Sequence, residues 1–170
     1  MVGNNIIKEI RWFESMTSGK QKAFYRQMLD DARQVDVVPM SDVFTKDEID
    51  LIKWVVKPQS KQCYRNAHLL TLMFPTRLKY VEGHMNVCNV LTTEHAFNKI
   101  GDKYIDITME LALGQDPSGI EYVALKSYDK DDIERIASET GMYGGMYEYE
   151  FRKKCMEEKE LEEAHEVKDA

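Results

Sequence analysis

The chain has 170 residues, 43% of them hydrophobic and 31% charged, with 9 glycines and 4 prolines, the composition of a soluble globular protein with one domain and one core. Its 23 Lys and Arg against 30 Asp and Glu leave a net charge of −7, of which −4 lies between Glu148 and Ala170. Clustered cations of the kind that bind a phosphate backbone are missing, so nucleic acid is not an expected partner.

The N-terminal stretch MVGNNIIKEIRWFE carries charges inside its apolar run and no small-residue cleavage site, so it does not read as a secretory signal. Ile6, Ile7, Ile10 and Phe13 predict an amphipathic helix over 4–17. Ala23, Phe24, Gln27 and Met28 predict a second over 19–33, split from the first near Thr17-Ser18-Gly19. VDVVPM (35–40) reads as an extended linker, since the residue before proline avoids the helical region. Thr45 and Glu48 form a capping-box pattern ahead of Ile49, Ile52, Val55 and Val56, a helix that ends before Pro58.

KPQSKQ is a loop, and the next helix begins near Ser60 to Cys63 and runs to Pro75. The periodicity then changes from helical to alternating. RLKYVEGHM (77–85), TTEHAFNKI (92–100), KYIDIT (103–108) and IEYVALKSY (120–128) read as strands, with Gly101-Asp102 as a tight turn between the second and third. DKDDIERIASE (129–139) reads as a short helix. A final helix starts near Met146, with Tyr147, Phe151 and Cys155 on a docking face and a charged, solvated second half. The expected class is α+β: N-terminal helices (1–56), a core segment (58–128) and a helical C-terminal segment (129–170).

The three cysteines do not form a disulfide framework, and no run approaches the roughly 18 apolar residues of a membrane span. A reducing cytoplasmic setting with free thiols and no membrane partner is expected. Cys63 stands where a helix starts, and the unpaired N–H groups and dipole there favour a thiolate and can cradle an oxyanion. Such a nucleophile needs an imidazole to move its proton and a third polar group to fix the tautomer. With Ile100 opposite Lys103 across the turn, Phe97 faces Asp106, His95 faces Thr108, and His95 lies diagonal to Asp106 on the same sheet face. A slip of one residue would separate them.

The run CYRNA…LKYVEGHM…EHAFNKIGDKYIDIT resembles papain-like and transglutaminase-like cysteine hydrolases, in particular small transglutaminase-like proteins with the pattern C-[YF]-x-N-A, Y-V-E-G, H-A-[WF]-N and D-x-T. The resemblance covers roughly residues 58–128. It implies a nucleophile helix packed on a small antiparallel sheet of about four strands. Cys63 would be the nucleophile, His95 the general base and acid, and Asp106 the orienting group. It also implies a protein or peptide substrate and no cofactor. Papain-like peptidases have a glutamine before the cysteine that completes the oxyanion hole; Gln59 is the candidate for it, with Gln62 adjacent. Asn98 follows His95 by three, and a strand aims it at the opposite face.

Other readings compete. Cys63 and His95 could be core residues, Cys88 and Cys155 packing residues, and Asp106 a surface acid near a turn. Glu82 and Gly83 read as a strand end and bulge, with Glu82 a candidate to line the cleft. His84 and Cys88, four apart, are the nearest thing to a metal pair, but a zinc site usually shows two close pairs. The reaction expected is attack of a thiol on an amide or related carbonyl, as in a peptidase, amidase, deamidase or transglutaminase-like enzyme. A non-catalytic binding or inhibitory protein keeping the same fold is the alternative. Oligomeric state is not legible.

Overall fold

The computed structural model describes residues 4–88 and 90–168, with side-chain burial up to residue 163. The first three residues of the N-terminal segment, Asn89 of the 85–92 loop and the end of the charged tail lie outside the described residues.

Helices α1 (Asn5–Met16) and α2 (Gly19–Asp31) form where the apolar spacing places them, burying Ile6, Ile10 and Met28. Helix α3 (Lys46–Val56) begins with the capping box, in which the Thr45 hydroxyl accepts from the Glu48 N–H while the Glu48 carboxylate accepts from the Thr45 N–H. It ends at Lys57, whose φ of 48° is left-handed and turns the chain into the loop before α4 (Cys63–Met73). After the sheet, α5 (Lys130–Thr140) is capped by Asp129, and α6 (Met146–Lys168) closes the chain. No helix among the described residues is long and apolar enough to cross a membrane.

The protein is α+β, as its pattern predicts, but with five strands. Strands β1 (Arg33–Val35), β2 (Leu78–Val87), β3 (Leu91–Ile100), β4 (Lys103–Ile105) and β5 (Glu121–Tyr128) lie in the order β1-β5-β2-β3-β4, every pair antiparallel. The additional strand corrects the end of the second helix, expected to reach 33 but stopping at Asp31, and takes Val35 from the expected 35–40 linker. Arg33–Val35 pairs with β5 at one edge, and two residues on Val37 bridges Tyr104 of β4 at the other, with the Val38 N–H donating to the Tyr104 carbonyl at 2.8 Å. One short segment thus touches both edges, and the sheet curls towards closure.

The curl has an inside and an outside. Val37, Val81, Met85, Phe97, Met109, Tyr122 and Ala124 fill the inside. Helices α4, α5 and α6 cover the outside over Ala67, Tyr80, Ala96, Tyr128 and Ile133, while α1 and α2 pack on Val123 and Tyr147 beside them. At the expected bulge the register of β2 on β5 shifts between Glu82 and Gly83. A Cβ at Gly83 would sit 1.9 Å from the Val123 carbonyl oxygen, so only glycine permits this strand approach.

The hairpin register is the one the turn predicts, Ile100 opposite Lys103. The strand expected over 103–108 is shorter, however: it stops at Ile105, and a π-helical turn follows over Thr108–Ala112, closed by the Leu113 N–H on the Thr108 carbonyl at 3.1 Å. The physical reason is Asp106. Its Oδ1 accepts from the N–H groups of Thr108 at 2.9 Å and Met109 at 3.1 Å, a local cap that outcompetes the ladder.

Candidate active site

Helix α4 presents Cys63 as its first residue. The first intrahelical bond runs from the Asn66 N–H to the Gln62 carbonyl at 2.8 Å, so the N–H groups of residues 63–65 precede the ladder and point out of the helix end. The approach to that end is constrained. Lys61 has a left-handed φ of 61°, and the Asn66 side chain clamps the loop by accepting from the Gln59 N–H at 3.1 Å and donating to the Gln59 carbonyl at 2.7 Å. Asn66 also donates to the Thr108 hydroxyl at 3.1 Å, tying the start of α4 to the π-helical turn that follows Asp106.

Cys63 is partly exposed, and its sulfur lies within hydrogen-bonding reach of the His95 imidazole and of the N–H groups of Ala96 and Tyr64. Burial opposes the thiolate, but the imidazole and the two N–H donors outweigh it, and the thiol is held below its ordinary pKa. His95 is buried, and its Nε2 lies 2.6 Å from Asp106 Oδ2. With Nε2 held there, Nδ1 is the nitrogen left to the thiol. Burial disfavours charge on this ring too, yet the adjacent carboxylate and thiol raise its pKa above that of a free histidine. Both shifts favour the thiolate–imidazolium form of the pair.

Asp106 is fully buried, and every hydrogen bond it accepts is internal. Besides the two backbone donors on Oδ1, its Oδ2 accepts from His95 and from the Tyr122 hydroxyl at 2.8 Å. Four donors fix the carboxylate, which in turn fixes the imidazole plane. Phe97 stacks on that ring at 6.4 Å between centroids, and Tyr122 lies tilted to it at 6.2 Å.

The structure thus brings Cys63, His95 and Asp106 together in one contact chain. Gln59 is exposed and is held through its backbone. Glu82 is buried and borders a narrow cavity with Tyr64 and Glu94: its Oε1 accepts from the Tyr80 hydroxyl at 2.8 Å and the Met146 N–H at 3.0 Å, and its Oε2 from the Tyr147 N–H at 2.9 Å. It caps α6. Asn98 points, as expected, away from His95 and donates to the Ala67 carbonyl and the Thr71 hydroxyl of α4, each at 2.9 Å. Cys88 is exposed at the β2–β3 turn and His84 is buried, and among the described residues no three His, Cys, Asp or Glu side chains converge as a metal site requires.

Two residues of the site are absent from the sequence reading. Tyr122 comes from β5, whose pairing runs through the bulge at Glu82 and Gly83 and is not encoded locally. Asn66 stands in the C-Y-R-N-A run three residues after Cys63, a spacing that puts it one turn along α4 beside the cysteine, and that spacing is the signal that could have found it. The chain matches no family model, no curated protein and no solved structure.

Proposed function

We propose that the protein is a cysteine-dependent hydrolase or acyltransferase acting on an amide or related carbonyl of a protein or peptide. The observation that carries this reading is the contact chain from a partly exposed thiol at a helix start, through a buried imidazole, to a carboxylate with four donors. The order of these elements is also that of the papain-like and transglutaminase-like hydrolases that the sequence resembles, and the nucleophile helix lies on an antiparallel sheet as it does there.

In this reading the Cys63 thiolate attacks the carbonyl carbon and the carbonyl π-electrons move to oxygen. The tetrahedral oxyanion faces the N–H groups at the start of α4. Collapse expels the amine, which takes the proton held by His95, and leaves a thioester on Cys63. His95, now neutral, accepts a proton from an incoming water or amine as it attacks the thioester, and the sulfur departs as thiolate. Water gives hydrolysis and an amine gives acyl transfer. Asp106 keeps the imidazole in register through both half-reactions. No step requires a cofactor.

The test is acylation by p-nitrophenyl acetate, read by nitrophenolate release and by peptide mass. The expected result is a burst of about one equivalent with acetyl on Cys63 alone, absent in Cys63→Ala and slowed in His95→Ala. Acetylation spread evenly over Cys63, Cys88 and Cys155 would overturn the reading.

One observation favours the alternative of a non-catalytic binding protein. Helix α3 presents Leu51, Trp54 and Val55 on one face, with Trp54 73% exposed, next to the loop that leads to Cys63. On that reading a complex with a protein partner forms equally well with Cys63→Ala and is lost with Trp54→Ala.

A further inference from the structure

The start of α4 meets two demands that conflict. Its N–H groups have to stay open for a thiolate and an oxyanion, yet its first residue has to hold still against His95. Elsewhere in the chain a helix start is fixed by an oxygen that occupies those N–H groups: the Thr45 hydroxyl on α3, the Asp129 carboxylate on α5 and the Glu82 carboxylate on α6. At α4 the residue in that place is Gln62, whose side chain makes no capping bond, and no acid stands in the first turn. An uncapped first turn frays, and fraying here would carry Cys63 away from the imidazole.

The bonds that replace the cap come from the side. Asn66 lies one turn along α4 from Cys63 and is fully buried. Its amide holds both polar groups of the Gln59 backbone, at 3.1 and 2.7 Å, and donates to the Thr108 hydroxyl at 3.1 Å. Gln59 sits in a loop flanked by Lys57 and Lys61, whose φ of 48° and 61° are left-handed, a conformation that residues other than glycine keep only where their surroundings hold it. The Thr108 N–H donates to Asp106 Oδ1 at 2.9 Å, Asp106 Oδ2 meets His95, and that ring reaches the sulfur. The contacts therefore close a circuit. It runs from Cys63 through His95, Asp106, Thr108 and Asn66, and returns along one turn of α4.

A second buried asparagine divides the work with the first. Asn98 of β3 donates to the Ala67 carbonyl and the Thr71 hydroxyl, so it holds the body of α4 on the sheet. Asn66 holds the first turn over the segment that follows Asp106. An apolar side chain of similar shape would fill the place of Asn66 without the desolvation that a buried amide costs. Its polar atoms therefore serve geometry, not packing.

We propose that Asn66 is a positioning residue of the thiol site: with Thr108 as its partner it locks the first turn of α4 in place of an N-terminal cap, and so leaves the N–H groups beside Cys63 free for the oxygen of the reacting carbonyl. The inference rests on the thiol acyl chemistry proposed above for its meaning. Neither Asn66 nor Thr108 touches the reacting atoms. They act through the distance between the sulfur and the imidazole.

The test uses Thr108→Val, which keeps the side chain's shape and its N–H to Asp106 but removes the hydroxyl that Asn66 meets, and Thr108→Ser, which restores that hydroxyl. Iodoacetamide labelling of Cys63 against pH and acetylation by p-nitrophenyl acetate are read on folded protein, with urea denaturation alongside. Thr108→Val should move the acid limb of labelling up by about one pH unit and slow acetylation about tenfold or more, with Thr108→Ser within about twofold of wild type. Asn66→Ala should exceed Thr108→Val in both. Tyr128→Phe, which removes a hydroxyl bond to Glu150, should move the urea midpoint alone. An acid limb and a rate in Thr108→Val equal to wild type would overturn the inference even if the urea midpoint drops, since a merely structural bond costs stability only. If the acid limb depends on Thr108 and Cys63 is never acetylated, the catalytic reading falls alone; if Cys63 is acetylated and Thr108→Val changes neither readout, this one does. A wild-type Cys63 that labels like an ordinary thiol would overturn both.

Discussion

Asp106 and Glu82 are the same construction used twice. Each is a buried carboxylate at an irregularity of the sheet, Asp106 just past the end of β4 and Glu82 at the β2 bulge. Each accepts from a tyrosine hydroxyl, Tyr122 or Tyr80, and from two N–H groups at the start of a following helical segment, Thr108 and Met109 or Met146 and Tyr147. One difference separates them. Where Glu82 has the Gly145 N–H as its further donor, Asp106 has the His95 imidazole, and that ring reaches a partly exposed thiol. Burial and full hydrogen bonding therefore mark a fixed carboxylate, not a functional one. A titratable neighbour that leads to solvent makes the distinction.

That contrast can be broken most severely with paired amides. Asp106→Asn presents an N–H where His95 Nε2 requires an acceptor, and it should slow acetylation of Cys63 by about 10²–10⁴-fold. Glu82→Gln should leave that rate within about twofold, because its hydrogen bonds run to Tyr80 and the start of α6 and none to the His95 ring. If the two amides slow acetylation equally, the comparison fails.

Stability should show the opposite emphasis. Glu82→Ala strips both donors at the start of α6 of their acceptor and should cost about 3 kcal/mol in urea denaturation. Gly83→Ala drives a methyl into the Val123 carbonyl and should cost about 2 kcal/mol, with the thiol chemistry retained in the folded fraction. Tyr122→Phe removes one of four donors from Asp106. It should cost about 1 kcal/mol and move the acid limb of Cys63 alkylation upward in pH, which a purely structural tyrosine would not do.

The smallest effect is a pH dependence. Burial raises the Glu82 carboxyl above the ordinary range of about 4.3 against the pull of its N–H donors. A carboxyl raised on folding holds its proton longer in the native state, so its stabilising contribution is complete below the unfolded pKa and is lost as pH rises through the folded one. Urea midpoints of wild type and Glu82→Gln should therefore lie furthest apart in acid and approach each other towards neutrality. A difference that grows with pH would contradict the assignment.

What could be read from the chain follows how local its cause is. The capping box of α3 and the hairpin register around Gly101-Asp102 are local, and from that register alone His95 falls diagonal to Asp106. The end of β4 at Ile105 is also local, but the alternation of KYIDIT masks the competing cap by Asp106 that causes it. Tyr122 and the seam at Arg33–Val37 were not legible, because both depend on pairing across the sheet between segments distant in the chain. Glu82 illustrates the remaining gap. Its place near the site in sequence suggested the cleft, and only the path of α6 shows what its carboxylate holds.

The central claim is that Cys63 and His95 form a thiolate–imidazolium pair, and alkylation tests it most directly. Iodoacetamide labelling would be followed from pH 5 to 9, with Cys63, Cys88 and Cys155 resolved by peptide mass in wild type and His95→Ala. The account predicts that Cys63 alone labels rapidly near pH 6 and that His95→Ala returns its acid limb to that of an ordinary thiol near about 8.5. If Cys63 labels no faster than Cys88 and Cys155, or keeps its low-pH reactivity without His95, the pair does not exist and the catalytic reading is wrong.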